Sequence, residues 1–136
     1  MTTATPSATS TGRGFALAVV VATVVASVIN AVISLVGQAL GADASVIMGL
    51  QPAVYIAFTL IGVLAGATGW VIIRKRSADP AALLRWLVPT VVVISLVPDL
   101  LVGLALGWGV VCLALMHIAV AVTAVAAYRR FLPLPR

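Results

Sequence analysis

Apolar and polar positions fall in long blocks along this chain, with four apolar runs at about residues 15–36, 52–73, 83–104 and 108–128. Short segments rich in glycine, proline, aspartate and basic residues divide them. Strict alternation would indicate a half-buried strand, whereas apolar runs of 18 or more residues indicate bilayer spans. At 1.5 Å per residue, each run extends roughly 30 Å as a helix, which matches the hydrocarbon core of a bilayer. The pattern therefore predicts an all-α fold, an integral membrane four-helix bundle running up-down-up-down.

The breaks carry their own chemistry. The first, GQALGADASVIMGLQP at 37–52, has helix-ending glycines, the lone Asp43, and Pro52 where a helix can start without losing a useful N–H. The second, RKRSADPAALLR at 74–85, offers Asp79 as an N-cap and Pro80 as the first helical residue. In the third, Gly103, Gly107 and Gly109 divide an apolar stretch too long for one span. The domain reading is a disordered cytoplasmic tail at 1–14, one four-helix transmembrane domain at 15–130, and a short cytoplasmic tail at 131–136. A competing reading of the N-terminus is a secretory signal with Arg13 before it and a cleavage site near Ala26. The apolar run continues past that point to about Val36.

Composition removes the soluble alternatives, because 63% of the 136 residues are hydrophobic and only 8% are charged. A globular domain carries about a quarter charged residues. The net charge of +5 raises nucleic acid as a partner, but the positions of the charges argue against it. Arg13 precedes the first span, Arg74, Lys75, Arg76 and Arg85 lie between the second and third, and Arg129, Arg130 and Arg136 follow the fourth. Loops one-two and three-four contain no Lys or Arg. Cytoplasmic loops retain basic residues, so the charges act as topology anchors and put both termini in the cytoplasm, in a multi-pass cell-membrane protein. Phe15, Trp70, Trp86 and Tyr128 fit the inner interface, and Tyr55 and Trp108 the outer one.

Helices in lipid associate through small side chains and hydrogen bonds. Spacings of four and three residues predict such seams at Thr23, Ser27, Asn30, Ser34 and Gly37, and at Tyr55, Thr59, Gly62, Gly66 and Gly69. They also pick out Val88, Val92, Ser95 and Asp99, and Ala114, His117, Ala121, Ala124 and Tyr128. Gly62, Gly66 and Gly69 are the expected helix-packing glycines, and Gly62 with Gly66 also forms a possible dimer motif. Pro89 and Pro98 leave the carbonyls of Arg85 and Ile94 without their helical donors, which predicts two kinks.

Depth singles out one set of polar side chains. Counted along helices from the basic residues, Asp99 lies roughly 21 Å in, His117 roughly 18 Å, Ser27 roughly 21 Å, Asn30 roughly 25 Å and Thr59 roughly 22 Å. With Ser95, these form a candidate intramembrane polar layer in the outer half of the bundle. Asp99 and His117 are its ionisable members and are expected to pair. The rival reading ends the third span near Val97 and leaves Asp99 in water.

The order of Pro52 and Tyr55, then GVLAGATGW, SLVPDL and MHIAVA resembles a family of small four-span actinobacterial membrane proteins catalogued as a domain of unknown function. The resemblance covers roughly residues 50–130. It implies an integral membrane protein and supplies no substrate, cofactor or catalytic residue.

Enzyme chemistry is not expected. The chain has one histidine, one cysteine and three acidic residues, all aspartate, too few for a zinc ligand set and too scattered for a paired-carboxylate mechanism. No G-x-S-x-G elbow or phosphate-cradling glycine loop occurs. The expected cofactors and metals are none, and the expected partners are the lipid bilayer with either further copies of the chain or a membrane partner subunit. Two function classes follow. Asp99 and His117 act as polar glue in a structural or interaction component, or the same layer handles a proton, cation or small solute in an oligomeric transport component.

Overall fold

The computed structural model describes residues 8–103 and 107–135, which form four helices. These are α1 (Ala8–Ala39), α2 (Pro52–Arg76), α3 (Pro80–Gly103) and α4 (Trp108–Phe131), with a 3-10 turn at Met48–Leu50 before α2. No strand occurs among the described residues. All four helices are long and apolar enough to cross a membrane. Val24, Val28, Val32, Phe58, Ile61, Val93, Ile94 and Val122 are exposed, giving an exterior suited to acyl chains.

Local chemistry explains the helix ends. At the end of α1 the N–H of Ala42 bonds the carbonyl of Gly37 at 2.9 Å and the N–H of Gly41 bonds that of Gln38 at 3.1 Å. This Schellman arrangement needs a left-handed residue, and Gly41 has φ 97°. At the start of α3, the Asp79 carboxylate accepts the N–H of Ala82 at 2.9 Å, with Pro80 as the first helical residue. The last turn of α2 consists of Arg74, Lys75 and Arg76, cations placed where the helix dipole favours them.

One boundary departs from expectation. Residues 8–14, assigned by sequence to a disordered tail, belong to α1. At 32 residues α1 is about 48 Å long, well beyond a bilayer core. Its early turns have tertiary contacts, since a Cβ on Gly14 would lie 2.5 Å from the carbonyl oxygen of Phe131. Residues 1–7, 104–106 and 136 lie outside the described residues.

Packing centres on α4, which receives α1 along its length, α3 on another side and α2 less extensively. Gly14 meets Phe131 and Leu132 at one end, while Gly37 meets Cys112 at the other, so α1 and α4 are antiparallel. A larger core of Ala18, Ala22, Val63, Ala67, Trp70, Ala124, Ala127 and Tyr128 occupies the end that carries the basic residues. A smaller core at the opposite end seats Ala42, Ile47 and Leu50 of the first loop on Cys112 and Met116.

The α2 seam differs from the predicted one. Thr59, Val63, Ala67 and Trp70 are its buried residues, so after Thr59 the inward face moves one position past Gly62, Gly66 and Gly69. A Cβ at Gly62 or Gly69 would meet nothing within 4 Å, and only Gly66 of the three packs closely, against Tyr128. Close-approach glycines are found instead at Gly14, Gly37 and Gly49, which face Phe131, Cys112 and Leu113. Trp70 and Tyr128 do not face outward either. Both are buried with ring centroids 5.5 Å apart, and both donate to distant carbonyls.

Candidate functional site

Asp99 and His117 are brought together where α3 leans on α4. Asp99 follows Pro98 inside the continuous α3, on the one stripe of that helix that is covered, with Leu84, Val88, Val92 and Ser95. The His117 Nδ1 lies 3.0 Å from the Asp99 Oδ2 and 2.9 Å from the carbonyl oxygen of Leu113 one turn earlier. Both neighbours are acceptors, so this ring nitrogen carries the proton. A single N–H cannot serve both fully. It is aligned on Leu113, and the buried Oδ2 has electrostatic contact with the ring but no hydrogen-bond partner.

The pair is not sealed inside the bundle. Side-chain exposure is 36% for His117 and 18% for Asp99, in keeping with α3 being the least buried of the four helices. Nδ1 points inward to two acceptors, which leaves Nε2 as the nitrogen able to gain or lose a proton. The arrangement can hold a proton, or bond a polar group presented from outside the chain.

A second polar pair lies between α1 and α2. The Asn30 Nδ2 donates to the Thr59 Oγ1 at 3.1 Å, and both residues are buried, at 2% and 3% exposure. The Asn30 Oδ1 has no partner. Ser34 donates to the Leu50 carbonyl at 2.7 Å, tying α1 to the turn before α2. The remaining predicted layer residues join neither pair. Ser95 donates to Val92 of its own helix at 2.7 Å, while the hydroxyl of Ser27, like that of the seam residue Thr23, is buried without a partner. The expected single layer is thus two separate pairs, with no hydrogen bond connecting them among the described residues.

The basic anchors collect at the opposite end from the 3-10 turn. The Trp70 Nε1 donates to the carbonyl of Leu132 at 2.9 Å, and the Tyr128 hydroxyl to that of Val63 at 2.6 Å, which fixes the end of α4 beside α2. Arg74, Lys75 and Arg76 close α2, Arg129 and Arg130 close α4, and Arg13 lies beside Gly14 in the contact with Phe131. Arg85 and Arg129 line one cleft with Trp70 and Asp79. Sequence reasoning missed both carbonyl bonds because it treated the aromatic rings as interface markers. The useful signal was Tyr128 falling on the same small-residue seam as Ala121 and Ala124.

At the other end, Asp43 accepts from the Ser45 hydroxyl at 2.6 Å and the Ser45 N–H at 2.7 Å. These bonds, the hydroxyl first, hold its carboxyl below the usual carboxylate range. Among the described residues no three His, Cys, Asp or Glu side chains converge as a metal would require.

No curated protein and no solved structure matches the chain. A family pattern does match, across residues 7–133, nearly the whole length. A bundle of four apolar helices with polar pairs between them, matched from its first helix to its last, belongs to the family of unknown function DUF6069.

Proposed function

We propose that this protein is a structural or interaction component of the cell membrane, multi-pass with both termini in the cytoplasm, and that it associates through α3 with further copies of itself. The observation that carries this reading is the Asp99–His117 pair, formed where α3, the least covered helix, leans on α4, with side chains 18% and 36% exposed. Lipid tails offer no hydrogen bond to an ionisable pair in the span, so a protein surface laid over it is favoured. The up-down-up-down, cytoplasmic orientation is supported by the grouping of basic residues at one end. Abundant Arg, Ala, Val and Gly support a bacterial, actinobacterial inner membrane. Catalysis and nucleic-acid binding are not part of this reading.

Cysteine crosslinking in native membranes tests the association. With Cys112→Ala as background, Ile94→Cys on the exposed face of α3 should give disulfide-linked dimers, and Val122→Cys on α4 should give few. A strict monomer in mild detergent, with no crosslink at position 94, overturns the reading; crosslinks only to other proteins would replace self-association with a partner subunit. For orientation, a C-terminal fluorescent protein should be bright and a C-terminal alkaline phosphatase inactive, with the reverse for insertions beside Asp43.

A second reading is a small transport component handling a proton, cation or solute as an oligomer. The observation favouring it is the inward placement of Nδ1 against Asp99 and Leu113, which leaves Nε2 free to exchange a proton. Proton flux into liposomes containing the purified protein, abolished by His117→Gln, distinguishes it from a purely structural role.

A further inference from the structure

At the basic end, beside the buried Leu84, an open cleft of about 510 Å³ lies between α3 and the ends of α2 and α4. Its mouth carries Arg85 from α3 and Arg129 from α4, with Asp79 beside them. The Asp79 carboxylate is engaged as the N-cap of α3 through the Ala82 N–H, and neither arginine forms an ion pair with an acidic side chain among the described residues. Formally the mouth is +2 from the arginines and −1 from Asp79, a net +1. Below it the walls turn apolar, with Val88 of α3 facing the same space as Val125 of α4. A cationic mouth over an apolar groove that opens sideways has the polarity of one amphiphile, negatively charged at its head.

We propose that this cleft binds an anionic glycerophospholipid, with the headgroup phosphate between Arg85 and Arg129 and one acyl chain along the α3–α4 groove past Val88 and Val125. Two guanidiniums on different helices supply planar, charge-assisted donors to a phosphate, which a single surface cation does not. A singly charged phosphodiester matches the net +1 mouth. Basic pockets between helices at a membrane surface favour such headgroups. The lipid also fills space that no side chain of α3 fills, and so joins to the bundle the helix that packs on it least.

Native mass spectrometry of the full chain, released from detergent with equal amounts of phosphatidylglycerol and phosphatidylcholine, tests the site. Phosphatidylglycerol should be retained at least tenfold more often. Arg85→Gln with Arg129→Gln should cut that retention at least fivefold, while Lys75→Gln with Arg76→Gln, which removes the same charge outside the cleft, should leave it intact. Ala81→Trp keeps both arginines but fills the exposed wall of the cleft, and should also displace the lipid. Equal retention of the two lipids overturns the proposal, as does an equal loss in the Lys75/Arg76 control, which would reduce the effect to general surface charge. So does full competition by glycerol phosphate at matched concentration, which would make the cleft a free-phosphate site. Retained helical circular dichroism in each variant separates loss of the lipid from loss of the fold, and should the arginine pair fail to fold, Ala81→Trp decides alone.

Discussion

Helices α1 and α3 are both long apolar spans, and the membrane-length stretch of α1 is the more apolar, yet α1 is the one packed into the protein while α3 lies at its side. In water the greasier helix would be expected inside for hydrophobic reasons. In lipid that driving force vanishes, and close approach decides. Helix α1 presents Ala18, Ala22, Ala26, Asn30, Ser34 and Gly37 at successive turns, so the backbone of α4 can come near. Helix α3 presents the run TVVVISLV, whose branched side chains keep any neighbour at a distance. The small-residue pattern, not hydropathy, sorts the helices into centre and periphery.

The sharpest way to break this comparison is to enlarge one residue on each helix. Ala22→Leu adds three carbons where the side chain is 1% exposed, and overpacking of a close interface costs about 1–3 kcal/mol. Val93→Leu on the outward face of α3, 63% exposed, should change stability by less than about 0.5 kcal/mol. Reversible unfolding in mixed micelles measures both. Equal losses would mean that α3 is as tightly held as α1.

A smaller effect is expected at the polar pair of the tight region. Thr59→Val removes the hydroxyl at nearly constant volume and leaves the Asn30 amide with neither end bonded. Interhelical hydrogen bonds in membranes are worth about 0.6 kcal/mol on average and up to about 1.7, so a loss of about 1 kcal/mol in the same assay is expected. No loss would show that Asn30 rebonds, for example to the partnerless Ser27 hydroxyl.

The loose region offers the corresponding measurement. Asp99→Asn and His117→Gln should each destabilise, and the double variant should lose less than the sum by at least about 0.5 kcal/mol, as contacting residues do. Strict additivity would mean that the 3.0 Å approach carries no energy.

Much of this architecture was legible because local rules wrote it. The Asp79–Pro80 start of α3 and the Gly41 end of α1 follow from groups that a helix end leaves unbonded, whatever the helix packs on. The meeting of Asp99 and His117 follows from depth along two helices that are neighbours in the sequence. Rotation about a helix axis was harder to read. On α2 the face Gly62, Gly66 and Gly69 is polar and small, but the face one position on, Val63, Ala67 and Trp70, is the one that turns inward. The choice was made by two long-range bonds, Trp70 to Leu132 and Tyr128 to Val63, between residues more than 60 positions apart. No local pattern records them.

The smallest expected effect concerns what clamps α1 at its far end. The Asp43–Ser45 turn holds the loop that seats Ile47 and Leu50 on Cys112 and Met116, and among the described residues α3 has no such clamp. The Ser45 bonds stabilise the ionised Asp43 carboxylate, so its folded pKa lies below the ordinary 3.8. A depressed carboxyl pKa contributes stability that is present above the unfolded value and is lost as pH falls through the lower folded value. The thermal midpoint of the wild type should therefore exceed that of Ser45→Ala slightly at pH 6, and the two should converge in acid as Asp43 protonates below the ordinary 3.8. The side chain is fully solvated, so the gap should be the least of the four. A gap that persists unchanged at pH 2 would assign the effect to Ser45 packing rather than to the carboxylate, and would leave the small core at that end held by Ile47 and Leu50 alone.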